Sequence, residues 1–386
     1  MDIQNSDSKY LTAAAIVDQV LKQTGVVVVP GMSVAAICSY ADSLVEANCA
    51  AVFRKEQDIE RGVAFPTTVC VNRVIQNYAP GPDDDYVLRE GDVAKVEVSA
   101  HIDGCLASAA HTSVATNAPG TAITDRRADA ICAAYHACEV AVRMIRPGQS
   151  ARNVVKALAL VASGFNCAVA SDTYTCQIDR FVISGKNTFA NCFDPDAPVA
   201  DFTFESGEMY TVDCTLSSGS GVARESTHAP SVVQRDVSRQ HSLKLRTSRA
   251  LLSEVTRRFS VFPFLLRAAV GDSSALKAGV SECVRTRLLA PFAVTMDKAP
   301  GATFVAQFKA TVRCHYSGPV RLTRALPMPN VASQVAIPPE SEVGQILALD
   351  CEQATLPELP RLKLQLQTPV PVEAGAPGSA AAMDMS

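Results

Sequence analysis

The chain has 386 residues, 48% hydrophobic and 19% charged, with a formal net charge of −4; these values fit a folded globule of one large or two medium domains and give no global reason to expect a nucleic-acid partner. Its 13 cysteines are odd in number, run from Cys38 to Cys351 and form no CxxC pair, which argues for reduced, mostly buried thiols and against a disulfide framework or zinc ribbon. No run reaches the roughly 18 apolar residues of a membrane span, and Met1–Tyr10 lacks a basic segment followed by an apolar one, so the expectation is a soluble, intracellular protein.

In chain order, the first predicted helices cover Leu11–Gln23 and Val34–Ala47. Between them Pro30-Gly31 makes a turn and Ser33 caps the second helix. Glu90-Gly91-Asp92 then turns the chain into an alternating strand that carries Glu97. Asp103-Gly104 reads as a hairpin turn that points Asp103 outward. The same order returns further on. Helices over Ala128–Met144 and Val154–Ser163 flank Pro147-Gly148-Gln149-Ser150, and Ser206-Gly207-Glu208 leads into a strand with Asp213. Ser150 lies 117 residues after Ser33, and Asp213 lies 116 after Glu97. Two motifs echoed at one period predict two duplicated halves, about 8–110 and 120–227, within a first domain over 1–227. Glu97 and Asp213 then sit on equivalent strands facing one cleft.

Residues 228–292 have a different chemistry. From Arg235 to Arg267 there are eight basic residues (Arg235, Arg239, Lys244, Arg246, Arg249, Arg257, Arg258 and Arg267) against Asp236 and Glu254, a balance of +6 that leaves −10 for the rest. The expectation is a basic helical insertion with an anionic partner. Seven of the eight are arginine, which grips phosphate bidentately and favours structured RNA. Phe259, Phe262 and Phe264 lie among them; Val255, Phe259 and Phe262 fit helical core spacing, which favours packing over base stacking. Residues 293–360 return to the first domain, with strand-like alternation from Phe304, and 361–386 form a flexible tail. Ser217–Gly221 contains no nucleophile elbow and lacks the context of a phosphate-binding loop.

Phe65-Pro66-Thr67, Val71-Asn72, Glu90-Gly91-Asp92, His101-Ile102-Asp103-Gly104, Val305-Ala306-Gln307-Phe308 and the basic insertion occur in an order that resembles the type 2 methionine aminopeptidases. The resemblance spans about residues 8–330 and is closest to the proliferation-associated, receptor- and RNA-binding branch, notably in Lys244–Phe259 and Phe304–Val312. It implies an α/β pita-bread fold, duplicated about a pseudo-twofold, with a helical insertion. In the enzymes two aspartates, a histidine and two glutamates hold two metals. Carried across, the aspartates fall on Glu97 and Ser108, the histidine on or near Cys176, and the glutamates on Asp213 and Lys309. Two substrate-handling histidines fall on Asn77 and Ser184. None of the seven is retained in identity.

Two adjacent divalent cations need several carboxylates to offset their repulsion. Here two acids remain and an ammonium is added, which cannot ligate a metal while protonated. The resemblance therefore implies a pseudo-enzyme with no metal and no cofactor, with Lys309 paired to Asp213 or Glu97 and Cys176 a buried packing thiol. A replacement metal site of His101, His111 and Asp103 is disfavoured. The implied function is binding of structured or ribosomal RNA and association with the ribosomal large subunit or pre-ribosomes, affecting translation and growth. The implied location is the cytoplasm, with the nucleus or nucleolus as a second site. No membrane or DNA partner is expected, and protein partners stay open. One alternative is a divergent metal-dependent methionine aminopeptidase using Glu97, Asp213 and Cys176; another is a cleft that binds peptides without cutting them. Animal members of the branch carry a lysine-rich C-terminus, whereas Thr368–Ser386 has no Lys or Arg.

Overall fold

The long strands alternate strictly: Lys95, Glu97, Ser99 and His101 occupy one face of their strand, and Ala94, Val96, Val98 and Ala100 the other. That pattern needs a helical layer on one side and a polar cleft on the other. The computed structural model describes residues 3–362 except 57, 82–83, 194–200, 272, 329 and 361. The tail expected over 361–386 lies almost wholly outside the described residues.

The first half runs α1 (Ile3–Val26), α2 (Val34–Ala51), β1 (Arg61–Val63), β2 (Thr68–Val71), β3 (Val74–Gln76), β4 (Val93–Ile102) and β5 (Cys105–Val114). The second runs α3 (Arg126–Met144), α4 (Ala151–Gly164), β6 (Ala168–Val169), β7 (Tyr174–Ile178), β8 (Thr188–Ala190), β9 (Met209–Ser217) and β10 (Ala223–Glu225). The insertion holds β11 (Val232–Arg235), α5 (Arg246–Phe259), β12 (Phe264–Leu265), α6 (Leu266–Val270), α7 (Ser274–Arg285) and β13 (Leu289–Pro291). The chain closes with β14 (Thr295–Asp297), β15 (Val305–Arg313), β16 (Val320–Arg321), α8 (Glu342–Leu347) and β17 (Glu352–Gln353). Among the described residues no helix is long and apolar enough to cross a membrane.

The main sheet has the order β1-β4-β5-β15-β9-β7-β8, and its two halves repeat at the level of single hydrogen bonds. Gly31 N donates to Leu88 O at 2.8 Å and Gly148 N to Phe204 O at 3.0 Å; Val34 N reaches Tyr86 O as Ala151 N reaches Phe202 O. Ser33 and Ser150 each accept the backbone N–H three residues on, capping α2 and α4. Before each long strand a carboxylate accepts the N–H three residues back: Asp92 from Arg89 and Glu208 from Glu205, both at 2.8 Å. This is the pseudo-twofold pita-bread architecture. One strand of the second half comes from beyond the insertion, because β9 pairs with β15 as β4 pairs with β5. Helices α1 and α2 cover β4 and β5 through one apolar cluster, and α3 and α4 cover β15 and β9 through another.

Two expectations need correction. Asp103 and Gly104, at φ +54° and +79°, do make the turn between β4 and β5, but Asp103 does not point outward. Its side chain is 13% exposed and binds Lys9 Nζ at 2.8 Å and Arg180 Nη2 at 2.7 Å, because α1 lies over the hairpin and the buried Lys9 requires a counter-ion. Phe262 is not part of the helical spacing: α5 ends at Phe259, and Ser260 at φ +52° redirects the chain. Phe262 is buried against the ring of His101, with 4.0 Å between centroids, while Phe259 stacks on Phe264.

The insertion has its own core around Leu251, Val255 and Cys283. Helix α5 starts awkwardly, with no side-chain cap at Leu245 and with Arg246 and Arg249 at the positive end of the helix dipole. Glu282 of α7 compensates by accepting Lys244 N at 2.9 Å and Leu245 N at 3.1 Å. Hydrogen bonds from Ser248 and these two amides hold its carboxyl down at about 2. A group with a depressed folded pKa stabilises above its unfolded value and loses that effect as pH falls through the folded one. The cap therefore survives below pH 4.5 and fails only toward pH 2. Glu282→Ala is expected to speed tryptic cleavage after Arg246 and Arg249 about tenfold or more through local opening of α5; unchanged cleavage would show that the cap is dispensable.

Candidate functional site

A single row of the sheet register builds the site. Glu97 on β4 faces Ala110 on β5, Ala110 faces Lys309 on β15, and Lys309 faces Asp213 on β9. Directly paired residues share a face, and strands lie about 4.8 Å apart, so Glu97 and Lys309 sit two strands from each other. The small Ala110 side chain between them lets the lysine reach across. Lys309 Nζ meets Glu97 Oε1 at 2.6 Å and Asp213 Oδ2 at 3.2 Å. Burial alone would lower the pKa of this lysine, but attraction to Glu97 and Asp213 and the hydrogen bond to Glu97 outweigh it and raise the pKa above its ordinary value.

Gln307 completes the cluster and is a site residue that the sequence reading does not single out. Its Nε2 donates to Glu97 Oε2 at 3.1 Å and to both Asp213 oxygens at 3.0 Å. The signal lies in its position two residues before Lys309 on the same strand, hence on the same face. Thr215 adds a bond to Asp213 Oδ1 at 3.3 Å. Every oxygen of the two carboxylates therefore accepts a hydrogen bond from the protein.

A cleft of about 290 Å³ brings Asn77, Ser184, Ser108 and Cys176 together with Glu97, Asp213 and Lys309. Ser108 is buried and accepts from Ser99 Oγ at 2.7 Å. Asn77 donates to Ala293 O at 2.9 Å, and Ser184 Oγ lies 3.2 Å from Thr188 Oγ1. Cys176 is half-buried and lines the cleft rather than the apolar core. Burial pushes its thiol up, only partly offset by Lys309 and by bonds with Ser184 and Thr188, so it is protonated at neutral pH.

This donor set does not fit a pair of divalent cations. An ammonium stands between the two carboxylates, and the Ser108 hydroxyl is engaged. Among the described residues no group of three or more His, Cys, Asp and Glu is placed to hold a metal ion. His101 and His111 cannot combine, because they lie on opposite faces of the β4–β5 pair: His111 packs on Phe308 at 5.4 Å among the helix-side residues, and burial lowers its pKa to about 4.

The basic residues divide in two. Arg235 donates to Ser260 O at 3.3 Å within the insertion, and Arg267 donates to Ala79 O at 3.0 Å and ties the insertion to the body. Arg239 pairs with Asp236 at 3.5 Å and Arg257 with Glu254 at 2.8 Å; Arg258 donates to Ala268 O and Arg249 to Leu243 O, each at 2.7 Å. Lys244 and Arg246 are exposed and make no ion pair with a described residue. At 100° per residue, Arg246, Arg249 and Arg257 share the face of α5 opposite the buried Ser248, Leu251 and Val255. Lys277, Arg285 and Arg287 add exposed charge on and just after α7. A charge count carried past Arg267 finds them.

Two duplicated halves whose paired strands bring acidic positions into one cleft define an aminopeptidase-like scaffold. Residues 8–173 match metallopeptidase family M24. Proliferation-associated protein A of Dictyostelium discoideum is 32% identical, over 85% of this chain and 84% of its own length. The curved DNA-binding protein of Schizosaccharomyces pombe is 33% identical, over 83% and 84%. The solved structure of a thermophilic Arx1 superposes with a TM-score of 0.82 at 28% identity, covering 90% of this chain and 98% of that one. The chain belongs to the proliferation-associated branch of the methionine aminopeptidase-like, pita-bread family.

Proposed function

We propose that this protein is a non-catalytic aminopeptidase-like protein that binds structured RNA on the ribosomal large subunit or a pre-ribosomal particle, acting in the cytoplasm and the nucleus to influence translation and growth. The observation that carries the RNA part is the face of α5 on which Arg246, Arg249 and Arg257 lie together beside Lys244, with Glu254 the one acid on that helix. Such a face attracts phosphate through charge-assisted hydrogen bonds and release of counterions. The non-catalytic part is supported by the Lys309 bridge: without a metal the cleft has no means of activating water at neutral pH. A divergent metallo-aminopeptidase would have to displace that ammonium from two carboxylates that already bind it.

The test is anisotropy titration of a structured RNA hairpin at several salt concentrations, with duplex DNA run beside it because one relative is named for curved DNA. Reversing Arg246, Arg249, Arg257 and Arg258 to Glu is expected to lower RNA affinity about a hundredfold near physiological salt and to reduce the salt slope by about three. Unchanged binding would contradict the RNA reading, and preference for the DNA duplex would redirect it.

A further inference from the structure

Between β11 and α5 the chain runs from Asp236 to Leu245 without regular secondary structure, and its middle reads Arg239-Gln240-His241-Ser242-Leu243-Lys244-Leu245-Arg246. From Arg239 to Arg249 there are four fixed positive charges and no acid. Ser242 is exposed, as are Arg239, His241, Lys244 and Arg246 around it. Its hydroxyl makes no hydrogen bond to a described residue, and the backbone N–H groups from Gln240 to Leu243 donate none either. Leu243 is the one side chain of the stretch that is buried, in the core of the insertion. Neighbouring hydroxyls are placed differently. Ser238 donates to Asp236 Oδ1 at 2.6 Å, and Ser248 is buried on α5 and donates to Gly279 O at 3.2 Å.

Ser242 thus combines three properties that a protein kinase requires of its acceptor: a solvated, unbonded Oγ, a backbone free to be laid out in a groove, and flanking charge that the groove can read. The pattern is an arginine three residues before the serine, an apolar residue directly after it, and basic residues two and four positions on. It suits a kinase with an acidic peptide groove and repels one built for acidic sequences. Only Leu243 must leave the core when the segment is drawn into such a groove.

The same position decides what a phosphate does once attached. Arg249 of α5 donates to Leu243 O at 2.7 Å and to Lys244 O at 3.1 Å, so its guanidinium lies against the backbone directly after Ser242. A phosphoserine brings about −1.5 to −2 charge at neutral pH and three strong acceptor oxygens. It draws that guanidinium away from neutral carbonyls and offsets Lys244 and Arg246, which have no ion pair with a described residue. Roughly two cations of the basic face are neutralised.

We infer that Ser242 is the acceptor site of a basic-directed serine/threonine kinase and that its phosphate switches off the basic face at the start of α5. The γ-phosphoryl group of ATP passes to Oγ: the new O–P bond forms as the bond to ADP breaks, and the hydroxyl proton leaves to the base of the kinase. The switch rests on the RNA reading above; the acceptor site does not.

The test treats the full chain with the catalytic domain of protein kinase C and ATP, and in parallel with the acid-directed casein kinase 2. Intact mass and tryptic mapping are expected to show one phosphate, on Ser242, from the first kinase and none there from the second. Ser242→Ala is expected to abolish it, and Arg239→Ala to slow it about tenfold. The phosphorylated chain is expected to bind the RNA hairpin about tenfold more weakly near physiological salt, with a salt slope smaller by about two. Unmodified Ser242→Ala is expected to bind as the native chain does and to keep that affinity after kinase treatment. No phosphate on Ser242, or an unchanged rate in Arg239→Ala, would overturn the acceptor assignment. Phosphate on Ser242 with unaltered RNA binding would overturn the switch and leave the RNA reading standing. Failure of the unmodified chain to bind RNA would overturn that reading and the switch together, with the phosphate map still deciding the acceptor site.

Discussion

Replacing Lys309 with methionine is expected to lower the stability of the fold by about 3–5 kcal/mol at neutral pH, the usual cost of leaving a buried charge without its partner. The side chains of Lys309, Glu97 and Asp213 are 16%, 11% and 14% exposed, so water offers little substitute. Gln307 would still bridge the carboxylates, but a neutral amide does not cancel their repulsion. The pH dependence separates this account from a packing defect. The raised pKa of Lys309 means that its contribution is fully present below the unfolded value of 10.5 and is lost only as pH rises through the folded one, so the native protein should show no change from this group between about pH 5 and 9. The gap between native protein and variant should therefore stay constant over that range and narrow only above pH 10.5, where the native protein begins to lose the contribution of the ammonium. Urea unfolding at several pH values measures both effects, and a loss under about 1 kcal/mol would mean that the cluster is solvated and weak.

Replacing Lys95 with methionine should have the opposite sign. Lys95 is fully buried and bonds only carbonyl oxygens, Asn72 O at 2.9 Å and Val305 O at 3.1 Å, and burial lowers its pKa from 10.5 to about 7. Below pH 7 the folded protein bears the whole cost of a buried ammonium, on the order of 4–5 kcal/mol, since each tenfold loss of proton affinity corresponds to about 1.36 kcal/mol. Between pH 7 and 10.5 the unfolded chain binds the extra proton, so native stability rises with pH and the cost fades. Lys95→Met removes the cost but leaves two carbonyls with one acceptor site fewer satisfied. The net expectation is a gain of about 1–3 kcal/mol near pH 6 that vanishes or reverses by about pH 10. Denaturant unfolding of both proteins across that range checks it; parallel curves for the two proteins would show that Lys95 does not titrate there.

Much of this arrangement is legible in the sequence because it obeys short periods. The offset of 116 residues between Glu97 and Asp213 survives as matching caps and turns, and period-two polarity places Lys95, Glu97 and Ser99 on one face. Register is harder to read, because nothing local states that Ala110 separates Glu97 from Lys309. Gln307 escapes notice because it is uncharged, although it donates to three carboxylate oxygens. Asp103 is misread because its partner Lys9 lies 94 residues away on α1, and long-range partners leave no trace in a hairpin motif. The charge count finds the basic insertion but cannot show that Arg235 and Arg267 bond backbone oxygens, which depends on how the insertion folds for the first and on how it docks for the second.

The most direct test of the central claim, that the old metal centre is now an internally neutralised ion-pair cluster, is metal content of the purified protein by elemental analysis, followed by a methionine-peptide cleavage assay with added manganese or cobalt. No stoichiometric metal and no cleavage are expected. Two metal ions per chain with turnover would contradict it, and would require Lys309 to leave Glu97 and Asp213 so that both carboxylates become ligands.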